Sequence, residues 1–180
     1  ILEVLRNLQK KKKEIIFITN APRRALVIEN QLTEFGIDRK LYSRVISSGE
    51  ITWRYLFEKF RDKNVNILHI GPPRDNHLIE GLSYKKVSIP EEAEIIVNTG
   101  PWGDNDKLEN YKNILDQSLK NKLPMICSNP DKEVIRGDKF MICAGKLAEY
   151  YEEKGGAVKY FGKPYPEIYN HIFKSINFIN

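Results

Sequence analysis

Long hydrophobic runs are missing from this 180-residue chain. None approaches the roughly 18 residues that a membrane-spanning helix needs, so no membrane is expected among its partners. No signal peptide opens it; Ile1-Leu2-Glu3-Val4-Leu5 reads as the middle of a helix, and the sequence as a piece of a longer protein. Cysteine is scarce, and the two present, Cys127 and Cys143, lack Cys-x-x-Cys spacing. They read as reduced thiols of a cytoplasmic protein. His69, His77 and His171 are scattered and form no zinc pattern with them. No G-x-G-x-x-G follows an apolar run, which removes the dinucleotide fingerprint. Gly156 and Gly162 stand one residue too far apart for a P-loop, and Pro164 replaces its Ser or Thr.

Charge is present in both signs, with a net of +5. The basic residues form no stripe interleaved with aromatics, as a nucleic-acid groove would want. The composition fits a lysine-rich soluble enzyme better, and no nucleic-acid partner is expected. The one dense run, Lys10 to Lys13, falls where a helix should end and where cations complement its dipole.

One pattern recurs. An apolar, β-rich run ends in small polar residues and meets a proline at 15–22, 66–73, 94–101, 124–131 and 158–164. Such strands separated by helices imply a parallel sheet covered on both faces. Ligands of such sheets bind beyond the carboxyl ends of the strands. The expected helices carry apolar faces at Ile1, Val4, Leu5 and Leu8; at Ile28, Leu32 and Phe35, with Pro22 in the first turn and Gly36 as cap; and at Trp53, Leu56, Phe57 and Phe60. Three more follow: Leu108, Tyr111, Leu115 and Leu119, capped by Asp104 or Asn105; Ala144, Leu147 and Tyr151, closed by Gly155-Gly156; and Pro166 to Ile176.

Two strand ends stand out. Ile15 to Ala21 offers the Thr19 hydroxyl and the backbone N–H groups of Asn20 and Ala21; Val158 to Pro164 offers the Gly162 backbone and the Lys163 ammonium. Hydroxyls, backbone N–H groups and a cation at strand ends are what hold phosphoryl oxygens. Taken alone, Thr19-Asn20 also reads as a helix cap, and Lys163 as an exposed turn lysine.

FITNAPRRA followed far downstream by FGKPYPEIY resembles the haloacid dehalogenase superfamily of phosphatases, subclass IIA, the NagD-like and p-nitrophenyl phosphatase-like branch. Thr19-Asn20 matches the family's second motif and Gly162-Lys163-Pro164 its third. Ser128-Asn129-Pro130-Asp131 resembles its Asn-Pro-Asp loop, and Cys143-Ala144-Gly145 through Gly155-Gly156 the helix that returns to the core. The resemblance implies a Rossmann-like α/β core (1–63 and 158–180) with an inserted α/β cap (64–157). It implies hydrolysis of small phosphomonoesters, such as sugar or nucleotide phosphates, through an aspartyl-phosphate with magnesium.

Thr19 and Lys163 then carry catalysis, and Thr19, Asn20, Ala21, Asn129, Asp131 and Gly162 bind substrate. Asn129 and Asp131 also fit plain turn chemistry. Arg23-Arg24 suits either phosphate attraction or a solvated helix face, and Trp102 and Asp104 lie at a further strand end. The family's Asp-x-Asp-Gly motif has no counterpart, since no aspartate precedes Thr19, and the Gly-Asp-x-x-x-x-Asp motif is missing as well. The expected magnesium ligands are therefore absent from this chain, which by itself should be inactive. Ala21 stands where the branch often has Asn or Ser. Tyr- and Ile-rich surfaces of the inserted lobe would suit a homodimer. The alternative is a non-catalytic module of degenerate fold that grips a phosphorylated ligand or a protein.

Overall fold

The computed structural model describes residues 1–176, so the strand expected to start near Asn180 lies outside the described residues. In chain order the elements are α1 (Leu2–Lys10), β1 (Ile16–Thr19), α2 (Ala25–Glu34), β2 (Arg44–Ser47), α3 (Ser48–Phe60), β3 (Val65–Ile70), β4 (Tyr84–Val87) and β5 (Ile95–Asn98). There follow α4 (Lys112–Lys120), β6 (Met125–Cys127), β7 (Glu133–Arg136), β8 (Lys139–Ile142), α5 (Ala144–Glu153), β9 (Val158–Tyr160) and α6 (Pro166–Ser175). All five apolar runs form strands, and the fold is α/β with parallel pairing. No helix among the described residues is long and apolar enough to cross a membrane.

The strands divide into two parallel sheets and one hairpin. β1 pairs with β2, with Thr19 opposite Ser47. The larger sheet has the order β4-β3-β5-β6-β9. β7 and β8 form a separate antiparallel hairpin. β9, which starts at the expected boundary at 158, pairs with β6, Met125 opposite Val158, and not with β1. A strand this short is held by the neighbour that satisfies its ladder, and the apolar edge of β6 is that neighbour.

Successive residues of β3 face opposite sides, as strand geometry requires. Ile67 packs with Ile46, Leu56, Val97, Phe161 and Ile168 in one core. Leu68 packs with Ile96, Met125, Leu147 and Tyr151 in a second. The first core joins β2, α3 and α6 to the larger sheet, so the strand ends of both sheets are held in one packed body. A third cluster of Leu5, Ile37, Leu41, Tyr42 and Val45 seals the small sheet.

Several helix details depart from the pattern. Only Leu5 of the α1 stripe is buried, and Ile1 and Val4 lie open. Pro22 sits in a bend ahead of α2, whose N-cap is Arg24. Phe35 is exposed, although Gly36 does take the left-handed conformation that ends the helix (φ +78°). α4 starts at Lys112 after a short 3-10 turn, with Tyr111 before it rather than Asp104 or Asn105. The side chain of Asp106 instead accepts from the Tyr111 hydroxyl and from the Gly103 N–H, 2.9 Å away. That fixes the 101–111 loop in a different shape.

Candidate active site

The loop after Thr19 is clamped from below by the start of α3. The Ser48 hydroxyl and the Gly49 N–H both donate to the Ala21 carbonyl, at 2.9 and 3.2 Å. The Ser47 hydroxyl donates to the Arg23 carbonyl at 2.5 Å and accepts from the Glu50 N–H, capping α3. Gly49 permits this approach: a Cβ there would lie 2.2 Å from the Arg23 nitrogen. The Ser-Ser-Gly triplet at 47–49 is visible in the sequence as the start of a helix; its role as the floor of this loop is not.

The segments that carry Thr19 and Lys163 meet at the end of β1. The Lys163 Nζ donates to the carbonyl of Ile18 at 3.3 Å, next to Thr19 at the end of β1. The Asn20 side chain fastens the two segments: its oxygen accepts from the Lys163 N–H at 2.7 Å, and its nitrogen donates to the Lys163 carbonyl and to Asp131 Oδ1, each at 2.9 Å. Gly162 is buried against this joint with φ +126°, and a Cβ would meet Pro130 Cδ at 2.7 Å and Asn20 Oδ1 at 2.8 Å. Only glycine adopts that backbone without strain.

The Asn20 amide spends its bonding on Lys163 and on one oxygen of the exposed Asp131 carboxylate. The Ala21 N–H donates to the Thr19 hydroxyl at 3.1 Å. Asn129 Oδ1 accepts from the Asp131 N–H at 3.0 Å, so the Asn-Pro-Asp segment is a side-chain-stabilised turn. Its backbone packs on the start of α5, where the Gly145 N–H donates to the Asp131 carbonyl at 3.0 Å. α2 begins at Ala25, so Asn20 and Ala21 do not stand directly before its first turn.

Beside this joint lies a cavity of about 330 Å³. Its wall includes Ala21, Arg23, Asn129 and Asp131, together with Asp75, Thr99, Cys143 and residues of the β7–β8 hairpin. Arg23 faces the buried Asp75 at 3.6 Å. Burial pushes the Asp75 carboxyl up, against the pull of Arg23 and Arg74. Arg24 is a packing residue: it pairs with Glu50 at 2.7 Å and stacks over Trp53. Trp102 lies half exposed against the Tyr111 ring, outside this cavity, while Asp104 lines it between Arg74 and Arg136. Arg74, Asp75 and Arg136 carried no signal in the sequence.

Burial raises the Cys143 thiol to about 11 and Cys127 to about 12, so neither is a thiolate nucleophile near neutrality. Magnesium wants several oxygen ligands. Among the described residues no three His, Cys, Asp or Glu side chains gather, so these residues do not fit a magnesium site on their own.

A parallel α/β chain whose strand ends converge beside a polar cavity is the class that fold and geometry define. Residues 1–85 match the haloacid dehalogenase-like hydrolase family. A hydrolase of the haloacid dehalogenase-like family from Brucella suis 1330 is 32% identical; the match covers 97% of this chain and 63% of that one, with a TM-score of 0.86. The p-nitrophenyl phosphatase from Archaeoglobus fulgidus (20% identical, 96% and 65% covered, TM-score 0.72) shares the fold. So does the 4-nitrophenylphosphatase from Thermotoga maritima (24% identical, 97% and 65% covered, TM-score 0.73). No curated protein matches in sequence. Over residues 1–85 the chain is similar to the haloacid dehalogenase-like hydrolases, and its fold is shared with p-nitrophenyl phosphatases and a putative nagD protein. It spans less than two thirds of the length of the first two of these relatives.

Proposed function

We propose that this chain is the substrate-holding part of a phosphomonoesterase acting on small phosphorylated compounds. The observation that carries the reading is the joint at the end of β1, where Asn20 locks the Lys163 backbone in place and the Lys163 ammonium reaches the carbonyl beside Thr19. In this reading the Thr19 hydroxyl turns from the Ala21 N–H toward a phosphoryl oxygen, and that N–H becomes a second donor. Lys163 offsets negative charge on the transferring group and on the attacking carboxylate, which another part of the longer protein supplies. Fixed donors aimed at developing charge need no reorganisation during the reaction, and each contributes about 100–1,000-fold in rate in a water-poor site.

The small sheet with α6 acts as core, and the five-stranded sheet with its hairpin as cap. The cap shapes the pocket for the leaving group and excludes water. A cytoplasmic location and magnesium dependence of the longer protein go with this reading, the metal ligands lying outside this chain.

The test is turnover of p-nitrophenyl phosphate by the full-length polypeptide with magnesium. Lys163→Ala should lower kcat by about 100-fold or more, and Thr19→Val by a smaller factor. Turnover insensitive to Lys163→Ala removes the role assignment. A second reading, a non-catalytic module that grips a phosphorylated ligand, rests on there being no group of three His, Cys, Asp or Glu able to hold a metal among the described residues. Under it Lys163→Ala weakens phosphate binding, while the full-length protein turns nothing over.

A further inference from the structure

The cavity is bordered by an arginine pair that the phosphate joint does not use. Arg74, ahead of β4, and Arg136, at the tip of the β7–β8 hairpin, reach the same carboxylate, Asp104, at 3.6 and 3.7 Å. Both distances are beyond a charge-assisted hydrogen bond, which closes to about 2.7–2.9 Å. The three side chains are 49%, 64% and 51% exposed, so Asp104 is free to swing out. The other two acids of the cavity already have partners: Asp75 faces Arg23, and Asp131 takes the Asn20 amide. That leaves two guanidinium groups against one loosely held carboxylate. Lys107 and Lys139 border Asp104 in the adjoining cleft and add to the same field.

A second, independent observation marks the cavity as built for a ligand. The Asp75 side chain is only 3% exposed and lines the cavity; its Oδ1 faces Arg23 Nε at 3.6 Å, an ion pair too long to be a hydrogen bond. A buried carboxylate oxygen whose arginine stands beyond hydrogen-bond reach keeps a cost in free energy that a ligand hydroxyl can recover.

Resting on the phosphatase reading, we propose that the leaving group carries a second anion, carboxylate or phosphate, which Arg74 and Arg136 bind in place of Asp104. A planar, bidentate fork on each arginine matches either anion. A cavity of about 330 Å³ holds a ligand of that size, at the small end of ligand pockets. Asp104 is then a placeholder that keeps the two arginines apart and oriented until the ligand arrives.

The experiment is titration calorimetry on the full-length polypeptide with EDTA present to prevent turnover. The probes are glucose 6-phosphate, with a neutral leaving group, 6-phosphogluconate, with a carboxylate, and fructose 1,6-bisphosphate, with a second phosphate. At least one of the last two should bind about tenfold or more tightly than glucose 6-phosphate, a factor equal to about 1.4 kcal/mol; which one does so identifies the anion. Arg74→Gln and Arg136→Gln, both at exposed positions that tolerate change, should each remove most of that preference and leave glucose 6-phosphate unaffected. Asp104→Asn should strengthen the preferred ligand severalfold.

Arg61→Gln, an equal charge loss at a surface pair with Asp62, should change nothing; a matching loss there would mean bulk electrostatics and overturn the proposal. Equal affinity for all three probes, binding of none, or a preference that survives the double arginine variant would overturn it as well. If the arginine-dependent preference holds while Lys163→Ala alters no affinity, the second-anion site stands and the phosphatase reading falls.

Discussion

Asn20 is the residue whose removal should cost most for its size. It makes two hydrogen bonds with the Lys163 backbone and one to the Asp131 carboxylate, while being only 9% exposed. A neutral hydrogen bond contributes about 0.5–1.5 kcal/mol net, and one to an ionised group about 1.5–3 kcal/mol. Asp131 is exposed, so water replaces most of what it loses. The two Lys163 groups sit beside buried Gly162 and are harder to rehydrate. Together these give about 2–3 kcal/mol for Asn20→Ala.

Asn20→Asp sharpens the test. The substitution keeps size and the acceptor for the Lys163 N–H, but turns both donated bonds into repulsions, against the Lys163 carbonyl and Asp131. It should cost at least as much as alanine at neutral pH. Adding Asp131→Asn restores a donor opposite the new carboxylate and should recover about 1 kcal/mol, read as a coupling energy in a double-mutant cycle. Urea denaturation of the four proteins supplies the numbers, with m-values checked for constancy. Losses below about 0.5 kcal/mol for both single variants, the range of ordinary surface changes, would refute the joint. So would a double variant no better than Asn20→Asp.

Gly162→Ala should destabilise by about 1–3 kcal/mol through its positive φ, with further cost from the clash with Pro130 and Asn20, and should displace Lys163; an unchanged urea midpoint would contradict the geometry. His69 gives a pH signature. Burial, with the charge of Lys86 added, lowers its pKa to about 4, and its ring sits 3.1 Å from the Thr99 hydroxyl. The folded state thus keeps the ring neutral while the unfolded chain protonates below the ordinary histidine value. Stability is fully present above that value and falls as pH drops toward 4, by about 2 kcal/mol between pH 7 and pH 5. Denaturation at the two pH values should show this fall in the native chain and a flatter response in His69→Leu; parallel curves would refute it.

How much of this was legible in the sequence depends on where each force is encoded. The five apolar runs carry their own period and their own stop signals, and all five became strands. β2 and β4 were harder to see. Arg44–Ser47 is four residues long and merges into α3 without a break, and Tyr84–Val87 carries Lys85 and Lys86 on an exposed edge. The helix faces misled where tertiary packing did not use them, as at Ile1, Val4 and Phe35, which stay open to solvent. The pairing of the strand starting at residue 158 could not be read from the motif that follows it. Gly162-Lys163-Pro164 does reach the end of β1, but the strand that delivers it is hydrogen-bonded to β6, and the chain returns toward the small sheet after it, at Phe161-Gly162.

That crossing also explains which parts of the site could be read. Thr19 and Lys163 stand in compact local patterns, a strand end followed by a turn, whose chemistry is stated by adjacent letters. The binding surface around them is assembled otherwise. Arg23 meets Asp75, and Arg74 and Arg136 meet Asp104, only because two sheets and a hairpin bring distant segments to one cavity wall. No periodicity records such a meeting. Asn20 shows the same division within one residue: its place beside a threonine suggested a phosphate contact, whereas its three bonds join segments more than a hundred positions apart. A side chain already engaged on both its donor and its acceptor side has little left to offer a ligand. In the proposed reading its contribution is to hold Lys163 in place, and that role follows from the tertiary joint alone.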